Sequence, residues 1–68
     1  MTMIRFDTIN KGSAAISRSL TTAEAQAGRS PKWAIDLLRQ AAEDCDALAR
    51  LCRLKAAELE IAAREAVS

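Results

Sequence analysis

From Ala34 onward, apolar residues recur three or four positions apart. Ala34, Leu37, Leu38, Ala41, Cys45, Leu48, Cys52, Ala56, Leu59, Ala63 and Ala66 fall within one broad stripe of a helix that advances 100° per residue. Neither glycine nor proline interrupts the chain after Pro31, and the segment is built mainly from Ala, Leu, Glu, Arg and Lys, all strong helix formers. The pattern predicts one helix over residues 31–66, roughly 54 Å long at 1.5 Å per residue. Ser30-Pro31 marks its start: a serine suited to the N-cap, then a proline whose missing N–H costs nothing in the first turn. Leu37, Leu48 and Leu59 repeat at intervals of eleven, a period that follows a nearly straight helix and does not demand a tight left-handed supercoil.

A second apolar line lies off this stripe. Ala47, Leu51, Leu54 and Ile61 are spaced four, three and seven, with Glu58 in the vacant place, and Trp33 projects at an angle similar to Leu51. A helix that is apolar on two sides requires two neighbours, and this line reads either as packing against helix 1, the arm or a second copy, or as a docking surface for a foreign protein. On the opposite face, Arg39, Asp46, Arg50, Arg53, Glu60 and Arg64 form a charged side that reads as mostly solvated.

Upstream, Ile16, Leu20, Ala23 and Ala27 are spaced four, three and four, which predicts a first helix over residues 13–27. Thr21 and Glu24 have the capping-box spacing, which leaves open a restart of that helix at Thr22. Gly28 suits the left-handed residue that ends a helix, so residues 28–30 read as the turn between the two. In residues 1–12, Ile4 and Phe6 alternate with Arg5 and Asp7, the period of an extended segment, and Asn10-Lys11-Gly12 reads as a turn. The expected fold is all-α: a helical hairpin of one short and one long helix, with an extended N-terminal arm burying Phe6. Two such hairpins dimerise into a helical bundle.

Size supplies the reason for the dimer. A chain of 68 residues makes one domain at most and hides only about 60% of the surface its unfolded form exposes. Small domains compensate with disulfides, a metal or oligomerisation. There is no histidine, and Cys45 and Cys52 stand seven residues apart, which is not a metal-ligand spacing. Two helical turns also hold their Cα atoms about 10 Å apart, beyond the reach of a disulfide. Both cysteines read as small packed hydrophobes. Oligomerisation remains, because a helix of about fifteen residues covers only about 22 Å of the long one. The stripe residues Leu38, Ala41, Cys45, Leu48, Cys52 and Leu59 are the expected dimer interface.

Charge and missing chemistry exclude several functions. Ten basic against nine acidic residues give a net charge of +1, too balanced to indicate nucleic acid or an anionic membrane as the main partner. No apolar run approaches the ~18 residues of a membrane span, and the start lacks the apolar core of a signal peptide. The expectation is a cytoplasmic protein without a membrane association. Without histidine, tyrosine or a glycine-rich phosphate loop, acid–base catalysis would fall to carboxylates on helix surfaces, so no enzyme activity and no cofactor are expected. The segment from Leu20 to Leu37, with its turn glycine and Ser-Pro helix start, resembles a helix–turn–helix DNA-binding motif. It departs from that pattern: Glu24 stands where a small residue packs, Arg29 follows the glycine in place of an apolar residue, and Asp36 lies between Lys32 and Arg39. A small DNA-binding regulator is therefore the alternative reading.

The leading reading is a protein-binding adaptor or inhibitor. Trp33, Leu51, Leu54, Ile61 and Lys32 are its candidate partner contacts, since aromatic and large apolar anchors dominate binding energy. For Trp33 the competing role is to pin the turn before it. In size, in its alanine- and arginine-rich composition and in architecture across its whole length, the chain resembles the small early proteins with which temperate phages disable host regulators. These include the anti-activators of LasR-type quorum-sensing receptors in Pseudomonas. The resemblance implies a helical homodimer acting in the bacterial cytoplasm on a host protein, either a transcriptional regulator or a type IV pilus assembly ATPase. No functional residue carries over, because no motif bears the resemblance. Other small phage inhibitors fit nearly as well, although many mimic DNA with a strong negative charge that this chain lacks.

Overall fold

A computed structural model describes residues 3–67. Two antiparallel helices, α1 (Phe6–Gln26) and α2 (Pro31–Val67), form a helical hairpin. No helix among the described residues is long and apolar enough to cross a membrane. Met1, Thr2 and Ser68 lie outside the described residues, as does the side chain of Val67.

The first helix corrects the expected arm. It begins at Phe6 rather than near residue 13, so Asn10-Lys11-Gly12 is helical, and among the described residues only Met3, Ile4 and Arg5 precede it outside regular structure. The reason is a seven-residue rhythm that overrides the short alternation upstream. Ile9, Gly12, Ile16, Ser19, Ala23 and Gln26, each buried or half-buried, lie along the side facing α2, with Thr22 half-buried beside them. Gly12 faces Leu48 with backbone alone, and a Cβ there would stand at an ordinary contact distance of 3.5 Å from Leu48 Cδ1. Asp7 in the first turn suits the positive end of the helix dipole. The helix also runs unbroken through residues 21 and 22, where the hydroxyls of Thr21 and Thr22 donate to the carbonyls of Ser17 and Arg18 at 3.0 and 2.9 Å. Back-bonding to the preceding turn replaces the capping box that would have restarted the helix.

The corner between the helices differs from the expected glycine cap. Neither glycine has a positive φ. The chain reverses instead over residues 27–29, with the Gln26 carbonyl accepting the N–H groups of Arg29 at 3.0 Å and Ser30 at 2.7 Å. The Ser30 carbonyl then accepts Ala34 N–H at 3.0 Å, opening α2 at Pro31.

The line of α2 that meets α1 is Ala34, Leu37, Ala41, Asp44, Leu48, Leu51, Lys55 and Glu58, each buried or half-buried. Its spacing alternates three and four, a heptad seam and not the eleven-residue period expected of the stripe. The core it builds with α1 is small. Among the described residues only Ile16, Ala23, Ala34 and Ala41 are buried apolar side chains, and none larger is fully enclosed. From Leu59 to Ala66 every residue of α2 is exposed. The molecule measures 58 × 17 × 16 Å, with a radius of gyration of 16.5 Å, against about 11 Å for a compact chain of this length.

Candidate protein-interaction surface

At the open end of the hairpin, Glu58 binds the start of α1. Its carboxylate oxygens accept the Ile4 N–H at 3.0 and 3.2 Å, placing negative charge where the helix dipole is positive. Lys55 Nζ stands 3.4 Å from Glu58 Oε2 and 5.0 Å from the centroid of the Phe6 ring. Lys55 is the one buried charged residue among those described. Phe6, expected to be buried by an extended arm lying across the helices, is instead 57% exposed and covers the lysine with one face. Lys55 and Glu58 continue the inner seam seven residues beyond Leu48 and Leu51, so the seam ends in an ion pair instead of two leucines. Opposite charges three residues apart at seam positions were the sequence signal for this clamp.

The remaining sides of α2 are bare, and they differ. One residue beyond each inner position runs the line Ile35, Leu38, Ala42, Cys45, Ala49, Cys52, Ala56, Leu59, Ala63 and Ala66, again spaced three and four without a break. A step of one residue turns the helix by about 100°, so this outer seam lies a quarter-turn from α1. All its members are exposed except the half-buried Ala49. It contains Leu38, Cys45, Cys52 and Leu59 of the expected dimer interface, whereas Ala41 and Leu48 of that set pack against α1 instead. Both thiols are free and exposed in the single chain, not packed as small hydrophobes.

On the opposite side of α2 lie Trp33, Gln40, Ala47, Leu54 and Ile61, one heptad apart. Trp33, Leu54 and Ile61 are 48%, 51% and 48% exposed. Between this line and α1 opens a groove of about 190 Å³ lined by Gly12, Ile16, Asp44, Ala47, Leu48 and Leu51. The missing side chain of Gly12 forms part of its floor, and Asp44, which accepts a hydrogen bond from Gln40 Nε2 at 3.1 Å, sits on its wall. Leu51, placed in the sequence beside Leu54 and Ile61, is thus half-buried and lines this groove. Lys32 stands apart, on the charged face with Arg39.

Comparison with protein-family models, curated proteins and solved structures finds no match to this chain. The function must therefore be argued from the surface itself. The chain exposes 5516 Å², against about 4,200 Å² for a folded monomer of its mass. That excess of about 1,300 Å² compares with the roughly 800 Å² each partner contributes to a standard interface.

Proposed function

We propose that this chain is a non-enzymatic protein-binding adaptor or inhibitor, and that it docks its target on the side of α2 carrying Trp33, Leu54 and Ile61. The observation that supports this is the groove beside that line. Leu51 and Gly12 give it an apolar floor, Asp44 supplies one polar point for orientation, and two half-exposed aliphatic side chains stand further along the same side. A helix-presenting or extended segment of a partner would bury these groups together. Trp33 lies three heptads from Leu54, about 31 Å along the helix, so a target that touched both would contact most of the hairpin's length.

The resemblance to phage early proteins suggests the class of target: a host regulatory protein in the bacterial cytoplasm, with a quorum-sensing transcription factor first and a pilus assembly ATPase second. The test is affinity purification of the tagged chain from nuclease-treated bacterial lysate, beside a Leu54→Ala/Ile61→Ala variant. The expected result is a bacterial protein retained by the wild type and lost by the variant at an unchanged melting temperature. If every variant that loses the partner also loses its fold, the docking surface is wrong. If only nucleic acid is recovered when nuclease is omitted, the helix–turn–helix alternative replaces this reading.

A further inference from the structure

We infer that the outer seam of α2 is covered by a second copy of this chain, running antiparallel about a two-fold axis that passes between Arg50 and Leu51. The first ground is size. Equidistant from that point the seam residues fall into layers Leu38/Ala63, Ala42/Leu59, Cys45/Ala56 and Ala49/Cys52, so every larger side chain meets an alanine of the second copy. Alternating large and small residues across facing positions lets layers interdigitate and helices approach closely. A parallel dimer in register would set leucine on leucine and alanine on alanine, with gaps at the alanine layers.

The second ground is charge, and it selects the same register independently. Immediately beside the seam stand Arg39, Asp46, Arg53 and Glu60, all exposed and without an ion pair among the described residues. In the antiparallel arrangement Arg39 lies two residues, about 3 Å, from the level of Glu60 of the second copy, and Asp46 lies likewise beside Arg53, both within reach of long side chains. Sliding by one heptad in one direction sets Arg39 against Arg53 and Asp46 against its own counterpart. Sliding in the other sets Asp46 against Glu60 and Arg53 against its counterpart. Like charges so placed reject a wrong register. The third ground is continuity with the observed hairpin. The outer seam lies about 100° round α2 from the seam that holds α1, the angle at which a helix of a four-helix bundle meets its second neighbour. The dimer therefore needs no rearrangement of the hairpin, and it leaves the groove and Leu54 free on the far side of α2.

Sedimentation equilibrium of the full chain under reducing conditions tests this. The wild type should be a dimer at micromolar concentration, and Arg39→Glu should weaken self-association by about tenfold or more. Arg39→Glu/Glu60→Arg should restore it. Residues 39 and 60 are about 31 Å apart on one helix, so restoration can arise only between chains, and circular dichroism confirms that the surface variants keep their helices. Mild oxidation provides a second measurement. Cys52 lies close to the axis and Cys45 far from it, so Cys45→Ser should form a disulfide-linked dimer and Cys52→Ser should not. A monomeric wild type overturns the proposal. So does a double variant no tighter than Arg39→Glu, or a Cys52→Ser chain that cross-links as readily as Cys45→Ser. A monomer would leave the docking surface on the far side standing, which keeps the two readings separable.

Discussion

Along α2 the seam against α1 holds Asp44, Lys55 and Glu58 among its eight positions, while the seam one residue further on holds no charged residue among ten. The covered side is thus the more polar of the two, and the bare side is composed like a core. On the α1 side the inner seam meets Gly12, Ser19 and Gln26 as well as Ile9, Ile16 and Ala23. Such an interface fixes which helix face turns inward, through small residues and a clamped end, but it removes little apolar surface from water. Because a folded domain retains only about 5–15 kcal/mol over its unfolded state, a hairpin with four buried apolar side chains among its described residues has little in reserve. Covering the outer seam adds what the inner seam lacks.

The largest effect should come from charging the inner seam. Leu48→Asp places a carboxylate opposite Gly12 and one turn after Asp44, with Lys55 already engaged by Glu58. An unpaired charge held against apolar neighbours costs several kcal/mol, and a like charge four residues away adds to it. The variant should lose most of its helical circular dichroism at neutral pH and room temperature. A cooperative melt near that of the wild type would mean that the inner seam contributes little to the fold.

A smaller and more discriminating effect separates neighbours on α2. Leu51 packs toward Gly12 and Ile16 along the groove, whereas Leu54 is 51% exposed. Leu51→Ala should cost about 2 kcal/mol, the lower end for a large-to-small change at a half-buried site. Leu54→Ala should cost less than about 0.5 kcal/mol, as surface substitutions do. Chemical denaturation of the two variants side by side gives the difference. Equal losses would place Leu54 inside an assembly and remove it from the docking surface.

Much of this arrangement was legible in the sequence. The hairpin, the start of α2 at Pro31 and the inward placement of Ile16, Ala23 and Ala34 all follow from helical spacing and from Ser30-Pro31, whereas Ala41 and Leu48, expected between two copies, pack against α1. Two features were not. Residues 6–12 join the helix although Asn10 and Gly12 are weak helix formers, because Ile9 and Gly12 extend a seven-residue seam that only α2 makes visible. The broad stripe of α2 also merged two seams. At 100° per residue a heptad drifts by about 20° per repeat, so Leu37 and Leu48 of the inner seam and Leu38 and Leu59 of the outer one fall within the same arc. Only the burial pattern, with Leu51, Lys55 and Glu58 turned toward α1 and Cys45, Cys52 and Leu59 turned away, resolves them. The clamp formed by Lys55, Glu58 and Phe6 is hidden for a related reason: in the sequence Glu58 fills a gap in the second apolar line and Phe6 belongs to an extended arm, whereas in the structure Lys55 and Glu58 continue the inner seam.

The smallest expected effect is also the one that ties the inner seam to the groove. Gly12 lies inside α1 with ordinary helical φ, and a Cβ built there meets Leu48 Cδ1 at 3.5 Å, a normal van der Waals separation. Gly12→Ala therefore introduces no clash. It gains helix propensity worth about 1 kcal/mol at an interior position, part of it by restricting the unfolded chain, and it adds a methyl group in contact with Leu48. The variant should be more stable by about 0.5–1 kcal/mol in chemical denaturation. That methyl group also occupies the floor of the groove, so a partner that seats a side chain between Leu51 and Asp44 should bind the alanine variant more weakly even as the fold becomes more stable. Stability and binding moving in opposite directions would identify the glycine as a feature of the docking surface, whereas a stabilised variant that binds its partner unchanged would restrict docking to Trp33, Leu54 and Ile61.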